Sequence, residues 1–160
     1  MNTLIEKEYL ANRVANANEA ELVAILYEGL IDTFEDNIDY LRIGAYGKLN
    51  TSSQKAREIL AELLSTIQGN SQIANNLKSI YVYVNQLITE AEISKDVEKL
   101  QLAIKVITPL YEGWKELGEK EGGQGTSTPP QGPKIVAGMT YGKGQLNDYV
   151  VNNGKEWQKG

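Results

Sequence analysis

The chain contains no cysteine and no histidine. Without cysteine there is no disulfide framework, no thiolate nucleophile and no zinc–thiolate site. Without histidine, the commonest general base and the commonest transition-metal ligand are missing together. Carboxylates could still bind a hard cation, but no DxDxDG-type loop with a closing glutamate is present. Positive charge is also in short supply: 16 Lys and Arg stand against 21 Asp and Glu, a net charge of −5. An acidic balance argues against a nucleic-acid surface. No apolar run reaches the roughly 18 residues of a membrane span. The opening "MNTLIEKEYLANR" carries acids where a signal peptide needs a basic start, so the expectation is a soluble cytoplasmic protein.

Proline is almost absent from the first 120 residues, where Pro109 stands alone. Helical spacing is clear there instead. Leu22/Val23, Leu26/Tyr27, Leu30, Phe34, Ile38 and Leu41 step by threes and fours. Asn18 with Glu21 reads as a capping box; Gly44 ends that helix and Gly47 keeps the next turn short. A second helix runs through "LNTSSQKAREILAELLSTIQG" to a stop at Gly69, a third starts near Ser71, and Ser94 caps a fourth. Short loops force neighbouring helices to run antiparallel. The sequence therefore predicts an all-α, antiparallel four-helix bundle domain over 1–120 that includes a short extra N-terminal helix in residues 1–16. A Gly/Pro/Ser-rich linker follows at 121–134. The C-terminal extension 135–160 holds Ile135, Val136, Met139, Tyr141 and Trp157, too apolar for a purely solvated tail. It is expected to dock on the bundle.

Two features point to a binding surface. The helical part uses tyrosine freely (Tyr9, Tyr27, Tyr81, Tyr83, Tyr111), while the whole chain has 1 phenylalanine. A buried phenol needs a hydrogen-bond partner, so tyrosines on a bundle suit its rims or an interface. In "SIYVYVNQL" apolar residues run unbroken from Ile80 to Val84, wider than one core stripe, so part of that run faces outward. The tetrapeptide LYEG occurs at 26–29 and 110–113, but the flanks do not align and the repeat is coincidental. Gly29 costs a helix about 1 kcal/mol against alanine, which raises the question of a close backbone approach there. "GGQGTS" and "GKGQ" lack the strand and the Lys-Ser/Thr of a phosphate loop. No constellation of groups supports an enzyme, a metal site or a cofactor.

Residues 8–118 resemble the FliS family of flagellar export chaperones. "EYLANRVANANEAELVAILYEGLI", "NTSSQKAREILAEL", "GNSQIANNLKSIYVYVNQLITEA" and "YEGWKE" are similar, in order, to that family's blocks. Val82 and Pro109 depart from the pattern, and Pro109 should kink the last helix or cost it a hydrogen bond. The resemblance implies a bundle that binds the disordered C-terminal segment of flagellin in an apolar groove and so prevents premature polymerisation. It implies groove residues at Tyr9, Asn12, Val14, Leu22, Ile25, Leu26, Tyr27, Ile80 and Tyr81. It also implies an N-terminal stub that can lie across the groove, and the flagellar export gate as a further partner. An adaptor bundle for another helical partner, such as a regulator or an export-gate component, is the alternative.

Overall fold

The computed structural model describes residues 3–124, and among them it contains five helices and no strand. Helix α1 spans Thr3–Asn16, α2 Glu19–Ile43, α3 Tyr46–Ser65, α4 Gln72–Ser94 and α5 Val97–Gln124. Residues 125–160, with most of the expected linker and all of the expected tail, lie outside the described residues. Helix α5 takes in the first four residues of that linker segment, EGGQ.

Helices α2 to α5 form an up-down-up-down bundle in which α2 packs on α3 and α5, and α4 packs on α5 and α3. The apolar stripe read from the sequence is the core: Leu30 and the single Phe34 are fully buried, as are Leu49, Val84, Ile88 and Ile107. The α2 start is as expected. The Asn18 side chain accepts from the Glu21 N–H at 2.8 Å, and the Glu21 carboxylate accepts from the Asn18 N–H at 2.9 Å. Gly44, with φ 75°, ends α2 in the left-handed conformation that glycine adopts without strain.

Three helix boundaries differ from the sequence reading, each for a local reason. Helix α3 begins at Tyr46, so Gly47 lies within its first turn and not in a loop. It ends at Ser65, four residues before Gly69. There the Thr66 hydroxyl donates to the Leu63 carbonyl at 2.6 Å, a side-chain bond that satisfies the helix end. Ser94 is the last residue of α4, its hydroxyl donating back to the Glu90 carbonyl at 2.6 Å. The α5 start is bonded instead by Asp96, which accepts from the Glu98 N–H at 2.9 Å. Helix α5 runs on through Pro109 as one element, the ring lying on its exposed side.

The end of α5 lies against the start of α2. Asn18 Nδ2 donates to the Gly118 carbonyl at 3.1 Å, and a methyl placed on Gly118 would sit 2.5 Å from Glu21 Cγ and 3.1 Å from the Glu21 backbone nitrogen. Only glycine allows the two backbones this close. The Glu121 carboxyl is drawn into the same junction, and burial, with the nearby Glu21 charge second, pushes its pKa up to about 7 from 4.5. Because the folded state binds this proton more tightly than the unfolded chain, the stabilisation is fully present below pH 4.5 and disappears as pH rises towards 7. Glu121→Gln should therefore be more stable than the parent at pH 8 by about 1 kcal/mol, a figure reduced for the water that reaches the group. Urea unfolding at pH 5 and pH 8 checks this: the gap should close at the lower pH.

Candidate functional site

Helix α1 does not join the bundle core. Its apolar side chains Ile5, Tyr9, Leu10 and Val14 are exposed, Tyr9 at 64%. What ties it down is Arg13, whose two terminal nitrogens donate to the two Glu28 oxygens at 3.1 and 2.8 Å. This bidentate fork reaches from α1 to α2 and is the strong form of such a pair. The Glu28 hydrogen bond raises the Arg13 pKa, so the guanidinium stays charged at any physiological pH. Arg13 also lies 5.7 Å from the Tyr9 ring centroid, stacking its own helix partner over the cation.

Beneath α1 is a cleft of about 270 Å³, lined by Arg13, Asn16 and Ala17, by Glu21, Ala24 and Ile25 of α2, and by Tyr111, Lys115 and Glu119 of α5. Its floor is apolar and its rim carries both signs of charge. That combination suits an amphipathic segment better than a small polar substrate. Because both sides of the ion pair are about one-third exposed, it contributes little to global stability, on the order of 0.5 kcal/mol. Arg13→Ala should leave the melting temperature within a degree or two of the parent, while amide exchange in α1 speeds up and that in α2 does not. Slower or unchanged α1 exchange would show that Arg13 is not the tether.

The nine residues implied by the family resemblance divide into three groups. Tyr9, Asn12 and Val14 lie exposed on α1. Leu22, Ile25, Leu26 and Ile80 are half-buried; Leu26 and Ile80 pack on the core, whereas Ile25 faces the cleft. Tyr27 and Tyr81 are inside the bundle, where their hydroxyls hydrogen-bond to each other across the diagonal between α2 and α4. Burial pushes both phenol pKa values up, and the nearby Trp114 indole opposes only part of that rise at Tyr27. The two phenols are neutral and satisfied, a polar centre in an apolar core. In this conformation they lie beneath the surface, not on it.

Sequence reading missed Arg13, Glu28, Tyr111 and Lys115 as neighbours of the cleft. Arg13 and Glu28 are fifteen residues apart on different helices, and no periodicity links them. Tyr111 comes from the second LYEG, set aside as a coincidence of letters, while the tyrosine of the first copy is the buried one. Gly29 also has an answer: an added methyl would meet only the tip of Ile59 at 3.7 Å, so no backbone approaches it. On α4 the expected outward residues are found, Val82 at 68% and Tyr83 at 41% exposed.

Among the described residues, no group of three acidic side chains is placed to hold a metal ion, and no helix is long and apolar enough to cross a membrane. The molecule is thus a closed helical bundle with an added arm and an amphipathic cleft below it. Residues 1–121 match the family described as flagellar protein FliS, and the chain belongs to that family. It is 24% identical over 113 residues to the flagellar secretion chaperone FliS of Bacillus subtilis (strain 168), an alignment that covers 71% of this chain and 85% of the Bacillus protein.

Proposed function

We propose that this protein is a cytoplasmic, non-enzymatic flagellar secretion chaperone that binds the C-terminal segment of flagellin and holds it unpolymerised until export. The observation that carries the reading is α1, a helix whose apolar face is exposed and which an Arg13–Glu28 ion pair links to the bundle above an amphipathic cleft. A disordered amphipathic segment gains a surface to fold on if α1 moves or is joined by it. Such binding buries a large apolar area and meets an ordering cost, so it should show a negative heat-capacity change and a gain of helix. Family membership and the name of the Bacillus relative support the same role.

The test is calorimetric titration of the full chain with a flagellin C-terminal peptide, with circular dichroism on the mixture. Saturable 1:1 binding with added helicity supports the proposal, and Ile25→Asp should weaken it at least about tenfold by placing a charge on the cleft floor. No binding by the parent chain would reject flagellin as cargo. The export-gate component would then be the next partner to titrate.

A further inference from the structure

The family match stops at residue 121, and 36 residues follow Gln124 in this sequence. Away from α1, the outer side of α4 and its seam with α5 expose Val82 at 68%, Tyr83 at 41% and Leu102 at 37%. The Glu90–Lys99 ion pair, at 3.1 Å, sets the antiparallel register of these two helices. Seven residues on from each partner, that register brings Tyr83 level with the half-buried Val106. We propose that the segment beginning at Ile135 folds back in cis along this α4–α5 face and covers Val82, Tyr83 and Leu102.

Reach, charge and composition each select this occupant. From Gln124 back to the level of Val106 is eighteen helical residues, about 27 Å at 1.5 Å each. The ten residues from Gly125 to Lys134 span at most roughly 35 Å when extended, enough for that distance with little to spare. A linker of that length is far longer than α1 would require, since α1 leads into α2 at Asn18, beside Gly118. Residues 1–124 hold twelve basic and nineteen acidic side chains, a net −7, whereas four lysines against Asp148 and Glu156 leave the remainder at +2. Opposite net charges draw the segment towards its own bundle. The linker's reach is enough to bring the first apolar cluster after it, Ile135, Val136 and Met139, level with Tyr83. This inference is independent of the chaperone reading and is tested without cargo.

The chain has no cysteine, so introduced pairs report without background. In the full chain, Val82→Cys is combined in turn with Val136→Cys and Met139→Cys and treated with a short bismaleimide. The expected product is a cross-linked monomer whose yield does not change on dilution. It should be lost when Tyr83→Asp and Leu102→Asp are added, with far-UV circular dichroism unchanged, because both positions are exposed. Reference pairs use Tyr9→Cys on α1 and Asp36→Cys on the acidic outer side of α2. Equal or better cross-linking from either would overturn the proposal, as would a cross-linked dimer or no cross-link at all.

Discussion

Gly118→Ala should cost the bundle about 2–3 kcal/mol, although alanine is the better helix former by about 1 kcal/mol. The added methyl would lie 2.5 Å from Glu21 Cγ, with the Glu21 nitrogen and Cα behind it at 3.1 and 3.3 Å. A side-chain tip could swing away, but these atoms belong to the first turn of α2. Moving them pulls Glu21 off the Asn18 N–H and dismantles the capping box, itself worth about 1 kcal/mol. For a bundle of this size the melting temperature should fall by roughly 10 °C. Gly29→Ala is the internal control. Its methyl meets ordinary van der Waals space, so propensity wins there and the variant should gain about 0.5–1 kcal/mol. Thermal unfolding followed by circular dichroism separates the two; a Gly118→Ala protein as stable as the parent would mean that α2 and α5 do not approach this closely.

The second large effect is expected at the buried phenols. Tyr27→Phe leaves the Tyr81 hydroxyl inside the core without its partner and takes away the oxygen beside the buried Trp114 indole, and should cost about 2 kcal/mol. Tyr81→Phe leaves the Tyr27 oxygen beside the Trp114 indole and should cost less, about 1 kcal/mol. The double variant removes both hydroxyls and should be no worse than Tyr27→Phe alone. The coupling energy in the double-mutant cycle should then be on the order of 1 kcal/mol or more. Strict additivity would show that the hydroxyls do not interact. The pair also fixes register. Because α2 and α4 sit on opposite corners of the bundle, a one-turn slip of either would separate the two hydroxyls.

The bundle could be read from the chain because its signals are local. The period of apolar residues, the Asn18–Glu21 box and the Gly44 stop each act within a turn or two, and the structure shows all three. Two of the three boundaries that differed turned on rival end signals a few residues apart, Thr66 against Gly69 and Asp96 against Ser94. Propensity cannot rank such rivals, since geometry decides which one reaches the helix end. The candidate site was less legible still. Helix α1 was expected, but the residue that ties it down pairs with Glu28 on another helix, and the cleft takes a wall from α5 about a hundred residues away. Tyr27 and Tyr81 show the limit from the other side. A tyrosine invites reading as an interface, yet two of them can satisfy one another inside a core, and only their spatial pairing reveals it.

The seam between α2 and α5 has a temporal consequence. Its two partners are the first and last helices of the bundle, and their junction ties Asn18 to Gly118. Closing it means closing a loop of about a hundred residues, so the most distant contact in sequence completes the ring. A chain emerging from the ribosome can pair α2 with α3 early, but the side of α2 that carries Ala24 and Ile25, which share a cleft with Tyr111, waits for α5. Synthesis at ~5–20 residues per second leaves that apolar side open for several seconds. During this interval the nascent bundle itself exposes an amphipathic helix in need of a cover.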